Sequence, residues 1–205
     1  MAIVESRRLA DGPAIQRTVE ALTARGMEAV LVPSGQAAME KLLEMVPQGA
    51  EIFDSTSETL DSIGFSEYVK SNPRYHNLRD AVDLESDPAK RRELHRMATV
   101  AEYIIGSVQA IAETGEVLVA SGSGSQIGAY AYGAKYVILV AGTQKICPTL
   151  TDALARVRGY TLDKHDQWLQ QQGRKPGPIG KLALLEREPV AGRIRIILIN
   201  QDLGW

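Results

Sequence analysis

Tyr136-Val-Ile-Leu-Val-Ala141 is an unbroken apolar run with β-branched side chains at Val137, Ile138 and Val140. A strand with one wet face alternates apolar and polar residues, because successive side chains point to opposite sides of the sheet. A run without alternation is a strand buried on both faces, which belongs to the middle of a parallel sheet rather than its edge.

The sequence on either side supports that reading. Pro13 to Arg25 reads as a helix, with Asp11 or Gly12 as cap, Pro13 in the first turn, Ile15, Val19 and Leu22 at helical spacing, and Gly26 as its end. Met27 to Val32 is a short strand. Pro33-Ser34-Gly35 opens a second helix through about Val46, with Ala38, Leu42 and Met45 on one face. Glu51-Ile-Phe53 is the next strand, and helical spacing resumes with Leu60, Ile63 and Tyr68 before Asn72-Pro73. Ser86-Asp-Pro88 starts a charged helix to about Val100. Ala101 to Ser107 is a strand, and Ile111 through Val119 forms another around the Glu113-Thr-Gly115 turn. Thr149 or Thr151 caps a helix through Arg158, and Asp163 to Gln172 is a further polar helix. Leu182 to Leu185 and Ile194 to Ile199, separated by Pro189 and Gly192, are expected to be paired terminal strands. Strands alternating with helices imply βαβ units and a parallel sheet covered on both faces. The expected fold class is therefore α/β, a three-layer sandwich with a mainly parallel sheet and a β-rich C-terminal elaboration. Gly173-Arg174-Lys175-Pro-Gly-Pro178 lies too near the end to delimit a second unit, so residues 1–205 are expected to form a single domain.

Composition narrows the function. The chain has 205 residues, 44% apolar and 23% charged, with a net charge of −2, which gives no electrostatic reason to expect nucleic acid or an anionic membrane. No apolar run approaches the ~18 residues that span a bilayer, and Met1-Ala-Ile-Val-Glu-Ser-Arg-Arg8 lacks the apolar core of an export signal. A cytoplasmic location is the expectation. Cys147 is the single cysteine, so an internal disulfide and a thiolate-ligated cluster are excluded. His76, His95 and His165 have no ligand spacing, and neither a metal nor a cofactor is expected. The run Lys90-Arg-Arg-Glu-Leu-His-Arg96 reads as the solvated face of a helix.

Four segments carry candidate chemistry. Ser121-Gly122-Ser123-Gly124-Ser125-Gln126 follows an apolar run and precedes an expected helix, so its backbone N–H groups and hydroxyls can cradle a phosphate or carboxylate; a plain strand-to-helix turn is the alternative. It has neither Walker nor dinucleotide-binding spacing. Glu113, in the tight Glu-Thr-Gly turn, is either a nucleophile or general base with a raised pKa or an exposed turn acid. Asp54-Ser-Thr-Ser-Glu58 fits a capping box of Ser55 with Glu58. It also stands at the carboxyl end of a strand, where open α/β sheets bind ligands, and this makes Ser57 and Thr59 candidates. Gly142-Thr143-Gln144-Lys145 follows the most apolar strand; Lys145 can neutralise an anion as a compact charge, with Thr143 and Gln144 as hydrogen-bonding groups. Cys147 reads as a small apolar filler.

Three stretches, Ala101-Glu-Tyr-Ile-Ile-Gly-Ser-Val-Gln-Ala-Ile-Ala-Glu-Thr-Gly115, Tyr132-Gly-Ala-Lys-Tyr-Val-Ile-Leu-Val-Ala-Gly-Thr-Gln-Lys-Ile146 and Gly192-Arg-Ile-Arg-Ile-Ile-Leu-Ile-Asn-Gln-Asp-Leu-Gly-Trp205, resemble the lactate-utilisation (LUD) domain family. The resemblance spans nearly the whole chain. It implies a NagB/RpiA/CoA-transferase-like fold and a role in the oxidation of lactate or a related 2-hydroxy acid. Within that superfamily the Ser121 to Gln126 loop is similar in kind to a sugar-phosphate loop, and Glu113-Thr-Gly115 to the glutamate turn of CoA-transferases. Acyl or CoA transfer and sugar-phosphate chemistry through Glu113 are therefore alternatives, and a non-catalytic scaffold for redox subunits is a third. Some short members of the family carry a cysteine-rich segment before the last strands; here Trp168 to Gly180 contains none, so a redox centre would belong to a partner. The expected partners are a small anionic ligand, iron–sulfur or other redox subunits of a lactate-oxidising system, and a second copy of the chain.

Overall fold

The computed structural model describes residues 7–205; Met1 to Ser6, on which most of the export-signal reading rests, lie outside the described residues. Helix α1 (Gly12–Ala24) is capped by Asp11, whose Oδ1 accepts from the Ala14 N–H at 2.8 Å, and it ends at Gly26, where the chain takes φ +80°. Strand β1 (Glu28–Val32) leads through Ser34, the cap of α2 (Gly35–Met45), to β2 (Glu51–Asp54). The short helices α3 (Glu58–Ser62) and α4 (Phe65–Ser71) precede β3 (His76–Asn77). Helices α5 (Leu78–Leu84) and α6 (Pro88–Met97) bring the chain to β4 (Tyr103–Gly106). A hairpin of β5 (Ala110–Ala112) and β6 (Val117–Ser121) follows, then a single turn α7 (Ser125–Gly128) and a π-helical turn over Ala129–Gly133. The remaining elements are β7 (Tyr136–Gly142), β8 (Ile146–Cys147), α8 (Leu150–Arg156), α9 (Leu162–Gln171), β9 (Lys181–Leu185) and β10 (Ile194–Ile199).

The six-stranded sheet is parallel throughout, in the order β1-β10-β7-β4-β2-β3. The apolar run of β7 sits inside it, between β10 and β4. Val137, Leu139 and Ala141 point into one core with Ile15 and Leu22 of α1, while Ile138 and Val140 point into the other with Leu42 of α2 and Phe65 of α4. Val137 to Val140 have 0% exposure, and each contributes about 1.5–3 kcal/mol by burial. The three-layer α/β arrangement is present. A four-stranded mixed sheet, β8-β5-β6-β9, supplies the further β structure. Its inner side (Ile111, Val117, Val119) packs on the first core, and its outer side (Ala110, Leu118) packs with Ala153 and Val157. No helix among the described residues is long and apolar enough to cross a membrane.

The two C-terminal strands are not paired with each other. β10 inserts between β1 and β7, whereas β9 runs antiparallel to β6 on the rim of the smaller sheet. The reason is burial: Ile196 to Ile199 have 0% exposure and need neighbours on both sides, whereas β9 leaves Lys181 and Leu184 exposed. Ser55 does not cap a helix either. Ser57 caps α3, its hydroxyl accepting from the Leu60 N–H at 3.3 Å, while Ser55 turns inward to lie 3.1 Å from the Tyr130 hydroxyl.

Chain direction places a crevice. The helices after β1 and β2 pack on the face of Leu42 and Phe65 as the chain moves toward the β3 edge; the connections after β4 and β7 return toward β1 over the opposite face. Right-handed crossovers require that switch of face with direction. β2 and β4 are neighbours whose chains leave to opposite sides, and their carboxyl ends are where the rule for open α/β sheets expects a ligand crevice.

Gly106 closes β4 against the Tyr130 ring, and a Cβ there would stand 1.7 Å from the phenol oxygen. Tyr130 is 1% exposed and has no room to retreat. Gly106→Ala is expected to lower stability by about 1–3 kcal/mol, a fall of several degrees in thermal midpoint. An unchanged midpoint would mean that Tyr130 is not fixed there.

Candidate functional site

Three strand ends meet at the crevice. β2 ends in Asp54 and hands over to Ser55–Ser57; β4 ends in Gly106 and continues as Ser107-Val108; β7 ends in a tight turn, Thr143–Lys145. Lys145 extends from that turn across the carboxyl edge of the sheet. Its Nζ donates to Thr59 Oγ1 at 2.9 Å, Ser107 Oγ at 3.0 Å and the Val108 carbonyl at 3.1 Å. The residue is 1% exposed, and none of these partners is a carboxylate. Burial first, and then the positive charge of Arg156, push its pKa down from 10.5 to about 7, with Asp202 acting the other way. Two of its three partners are hydroxyls, each able to donate or accept. The cluster therefore suits either a protonated ammonium with three donors or a neutral amine with a lone pair.

The segment after β10 covers this cluster. Gln144 Nε2 donates to the Leu203 carbonyl at 2.9 Å and to that of Gly204 at 3.3 Å, and the Thr59 hydroxyl lies 3.4 Å from the Leu203 carbonyl. Gln201 Oε1 accepts from the Gly35 N–H at 2.8 Å, and Asp202 pairs with the exposed Arg7. Gln144 Oε1 and Asp202 Oδ1 are buried without a hydrogen-bond partner. Gly204 stands at φ +67°, and a Cβ there would meet Thr59 Oγ1 at 2.4 Å, so both backbone and space call for glycine. Beyond it, Trp205 packs edge-on to His165 and walls a cavity of about 70 Å³ shared with Gln109, Ser121, Thr161 and Pro178. Gln109 follows Val108 directly and Trp205 follows Gly204, so the cavity adjoins the lysine cluster. The buried Thr161 hydroxyl in its wall has no hydrogen-bond partner. Arg156 donates from Nε to the Gln109 carbonyl at 3.1 Å and lies over the Tyr160 ring.

Of the residues singled out in the sequence, Thr59 and Lys145 meet directly, and Thr143 and Gln144 form the turn that carries the lysine. Ser57 serves α3. The Ser/Gly loop bonds within itself: Ser121 Oγ donates to Gln126 Oε1 at 3.0 Å and accepts from the Gly124 N–H at 2.9 Å, and Ser123 and Ser125 hydroxyls are 3.2 Å apart. Gly124 takes φ +87° there, and the helix that follows is only four residues long. The loop shares no hydrogen bond with Lys145; Ser121 and Gly122 face the cavity instead. Glu113 lies at the tip of the β5–β6 hairpin, its carboxylate held by Arg17 at 2.7 Å. Cys147 is buried, which pushes its thiol up to about 11. Among the described residues no group of three or more His, Cys, Asp or Glu could hold a metal.

Sequence reading missed Ser107, Val108, Arg156 and the cover at 201–205. Arg156 left a trace: it stands between Ala153 and Val157 on the apolar stripe of its helix, where a cation needs a reason. A second buried group at the sheet edge was also missed. Asp54 is pushed up by burial, accepts from Asn77 Nδ2 at 2.8 Å, and its carbonyl accepts from Arg79 at 3.1 Å.

A sequence model of the LUD domain matches residues 15–173. The chain belongs to the LUD domain family. No curated protein sequence matches it. Among solved structures it is similar to a DUF162 family protein from Deinococcus radiodurans, at 12% identity and a TM-score of 0.55, with 94% of this chain and 98% of that one covered. At that identity the likeness is one of fold. A second match, eIF2B beta from Chaetomium thermophilum, has 15% identity and a TM-score of 0.33 over 67% of this chain and 41% of the other.

Two expectations follow for this LUD domain. Unfolding restores the ordinary pKa of Lys145, so between about pH 7 and 10.5 the unfolded chain holds a proton there that the folded chain lacks. Stability should therefore rise with pH across that window, and fall as pH drops through it, with a slope of up to about 1.4 kcal/mol per pH unit that Lys145→Met abolishes. Denaturant titrations of both proteins at several pH values measure the difference; equal slopes would place the proton elsewhere. Gly204→Ala forces a side chain into the left-handed region at about 1–2 kcal/mol and against Thr59. Lysine-directed labelling at residue 145 should accelerate on the order of tenfold, and an unchanged rate would mean that the segment does not cover the amine.

Proposed function

We propose that this LUD-domain protein binds a small carboxylate of the 2-hydroxy acid type, lactate or a close relative, in the β2/β4 crevice and supports its oxidation. The observation that carries this reading is Lys145, a buried basic group whose hydrogen-bond partners include no carboxylate. A buried charge is stable only when paired. A carboxylate entering beside Nζ supplies the missing partner and draws a proton onto the amine, while Arg156 adds a second positive charge nearby. The hydroxyls of Thr59 and Ser107 then face the ligand as donors to its carboxylate or its 2-hydroxyl group. Family membership supports the same substrate class. Oxidation of a 2-hydroxy acid releases two electrons and two protons. With Cys147 as the single cysteine, a thiolate cluster has too few ligands in this chain, so an iron–sulfur acceptor for these electrons would belong to a separate redox subunit.

Calorimetric titration of L-lactate at pH 8, in two buffers of different ionisation enthalpy, tests the site. The expected result is saturable binding with uptake of close to one proton, lost in Lys145→Met. Binding that survives that substitution would overturn the assignment, as would a flat response to every small carboxylate. Growth on lactate of a strain lacking the gene tests the physiological part, and unimpaired growth would count against it.

A further inference from the structure

We infer that Lys145 is a covalent nucleophile, its amine condensing with the ketone carbon of a 2-oxo acid, the oxidised form of the proposed ligand, to give an imine in the β2/β4 crevice. This rests on the carboxylate site proposed above and adds to it a reaction and a second substrate class.

The geometry around Nζ carries the inference. A lysine buried as a permanent cation is normally matched by carboxylates or by a full set of carbonyl acceptors. Lys145 has a single obligatory acceptor, the Val108 carbonyl at 3.1 Å, which orients the nitrogen. Its other two partners, Thr59 Oγ1 and Ser107 Oγ, can each turn a proton toward the nitrogen or away from it. They lie 3.2 Å from one another, so a proton can pass along the pair. A neutral amine is thus accommodated as well as an ammonium, and it sits where open α/β sheets receive their ligands. Lowered basicity by desolvation and a neighbouring cation is how amine nucleophiles are activated in general. The other nucleophiles singled out above are unsuited. Glu113 is held by Arg17, and the Cys147 thiol is buried and resists ionisation.

The chemistry balances within the site. The Nζ lone pair forms a bond to the ketone carbon as the carbonyl π pair moves to oxygen, and a proton from nitrogen reaches that oxygen through the Ser107–Thr59 hydroxyls. The remaining amine proton, passed along the same pair, lets the carbinolamine oxygen leave as water while the nitrogen pair closes the C=N bond. One 2-oxo acid and one amine give one imine and one water, with nothing oxidised or reduced. When the imine is protonated its positive charge lies next to the carboxylate of the same ligand. Entry requires that Leu203 and Gly204 leave Gln144 and Thr59.

The full chain is incubated with pyruvate at pH 7.5 with and without sodium cyanoborohydride, and the product is mapped by peptide mass spectrometry. Reductive trapping at residue 145 is expected to exceed that at exposed lysines at least about tenfold, because exposed amines are almost wholly protonated at that pH. L-lactate, which has no carbonyl to attack, should protect residue 145, and Lys145→Arg should lose the adduct; mapping of the native chain decides the matter even if that variant does not fold. If pyruvate binds with proton uptake while residue 145 stays unmodified, the imine is overturned and the carboxylate site stands. Neither binding nor adduct overturns both. An adduct that L-lactate does not suppress supports the nucleophile and removes the 2-hydroxy acid reading.

Discussion

Val137 to Val140 meet no solvent on either side of the sheet, and a strand in that position must also find hydrogen-bonding neighbours along both edges. β10 and β4 supply them, in register from Val137↔Ile194 and from Tyr103↔Tyr136. Parallel neighbours cannot be joined by tight turns, so each connection crosses a face of the sheet. The hand of those crossings then decides which strand ends open onto a crevice. Lys145 belongs to the turn that leaves β7, and its place at the crevice is a consequence of the burial of the strand before it. At the other end of β10, Arg193 reinforces the arrangement. It pairs with Glu188 at 2.6 Å and donates to the carbonyls of Ala129, Tyr130 and Ala134. The π-helical turn is tied by these bonds to the sheet, and Tyr130 is held over Gly106 and Ser55.

Against that rigid frame the lysine cluster is the costly feature. A methionine of similar length would fill the same volume without desolvating a basic nitrogen. Structural need alone therefore does not account for a lysine at position 145. The fold tolerates the group by letting its proton go near neutral pH and by surrounding it with hydroxyls that fit both forms. Arg156, 11 positions later in sequence and within electrostatic reach, makes the ammonium form harder still to keep. Lys145 itself has no carboxylate among its hydrogen-bond partners, and packing alone does not supply one.

Much of this fold could be read from local pattern. The runs at 136–141 and 194–199 read as strands because nothing polar interrupts them, and Asp11, Thr149 and Pro88 mark helix starts through chemistry confined to one turn. Pairing was not local: β9 and β10 stand close in sequence, yet each went to a different sheet because one is buried on both faces and the other is not. The site divides the same way. Lys145 and Thr59 could be suspected singly, each just past a strand. Their contact spans 86 positions and that of Lys145 with Ser107 spans 38, distances over which spacing carries no signal. The Ser/Gly loop drew attention by its composition, but serine and glycine also serve a turn whose hydroxyls satisfy one another, and Ser121 to Gln126 do this.

The cover over the crevice is held differently from the frame beneath it. Leu203 and Gly204 have no strand or helix ladder of their own; their carbonyls are met by one amide, that of Gln144, and by the Thr59 hydroxyl. Net contributions of about 0.5–1.5 kcal/mol for each such bond place this segment at the low end of local stability, where opening is frequent. The same two side chains that hold the segment are those a ligand would meet. A carboxylate oxygen of the proposed ligand beside Gln144 Nε2 and Thr59 Oγ1 would take the place of the peptide carbonyls now there, so hydrogen bonds would be exchanged rather than lost. What the proposed ligand would add is charge: it would bring to Lys145 the negative group that a peptide carbonyl cannot provide. On the proposed reading, cover and ligand would compete for one set of donors, and the ligand's advantage would be the ion pair with Lys145.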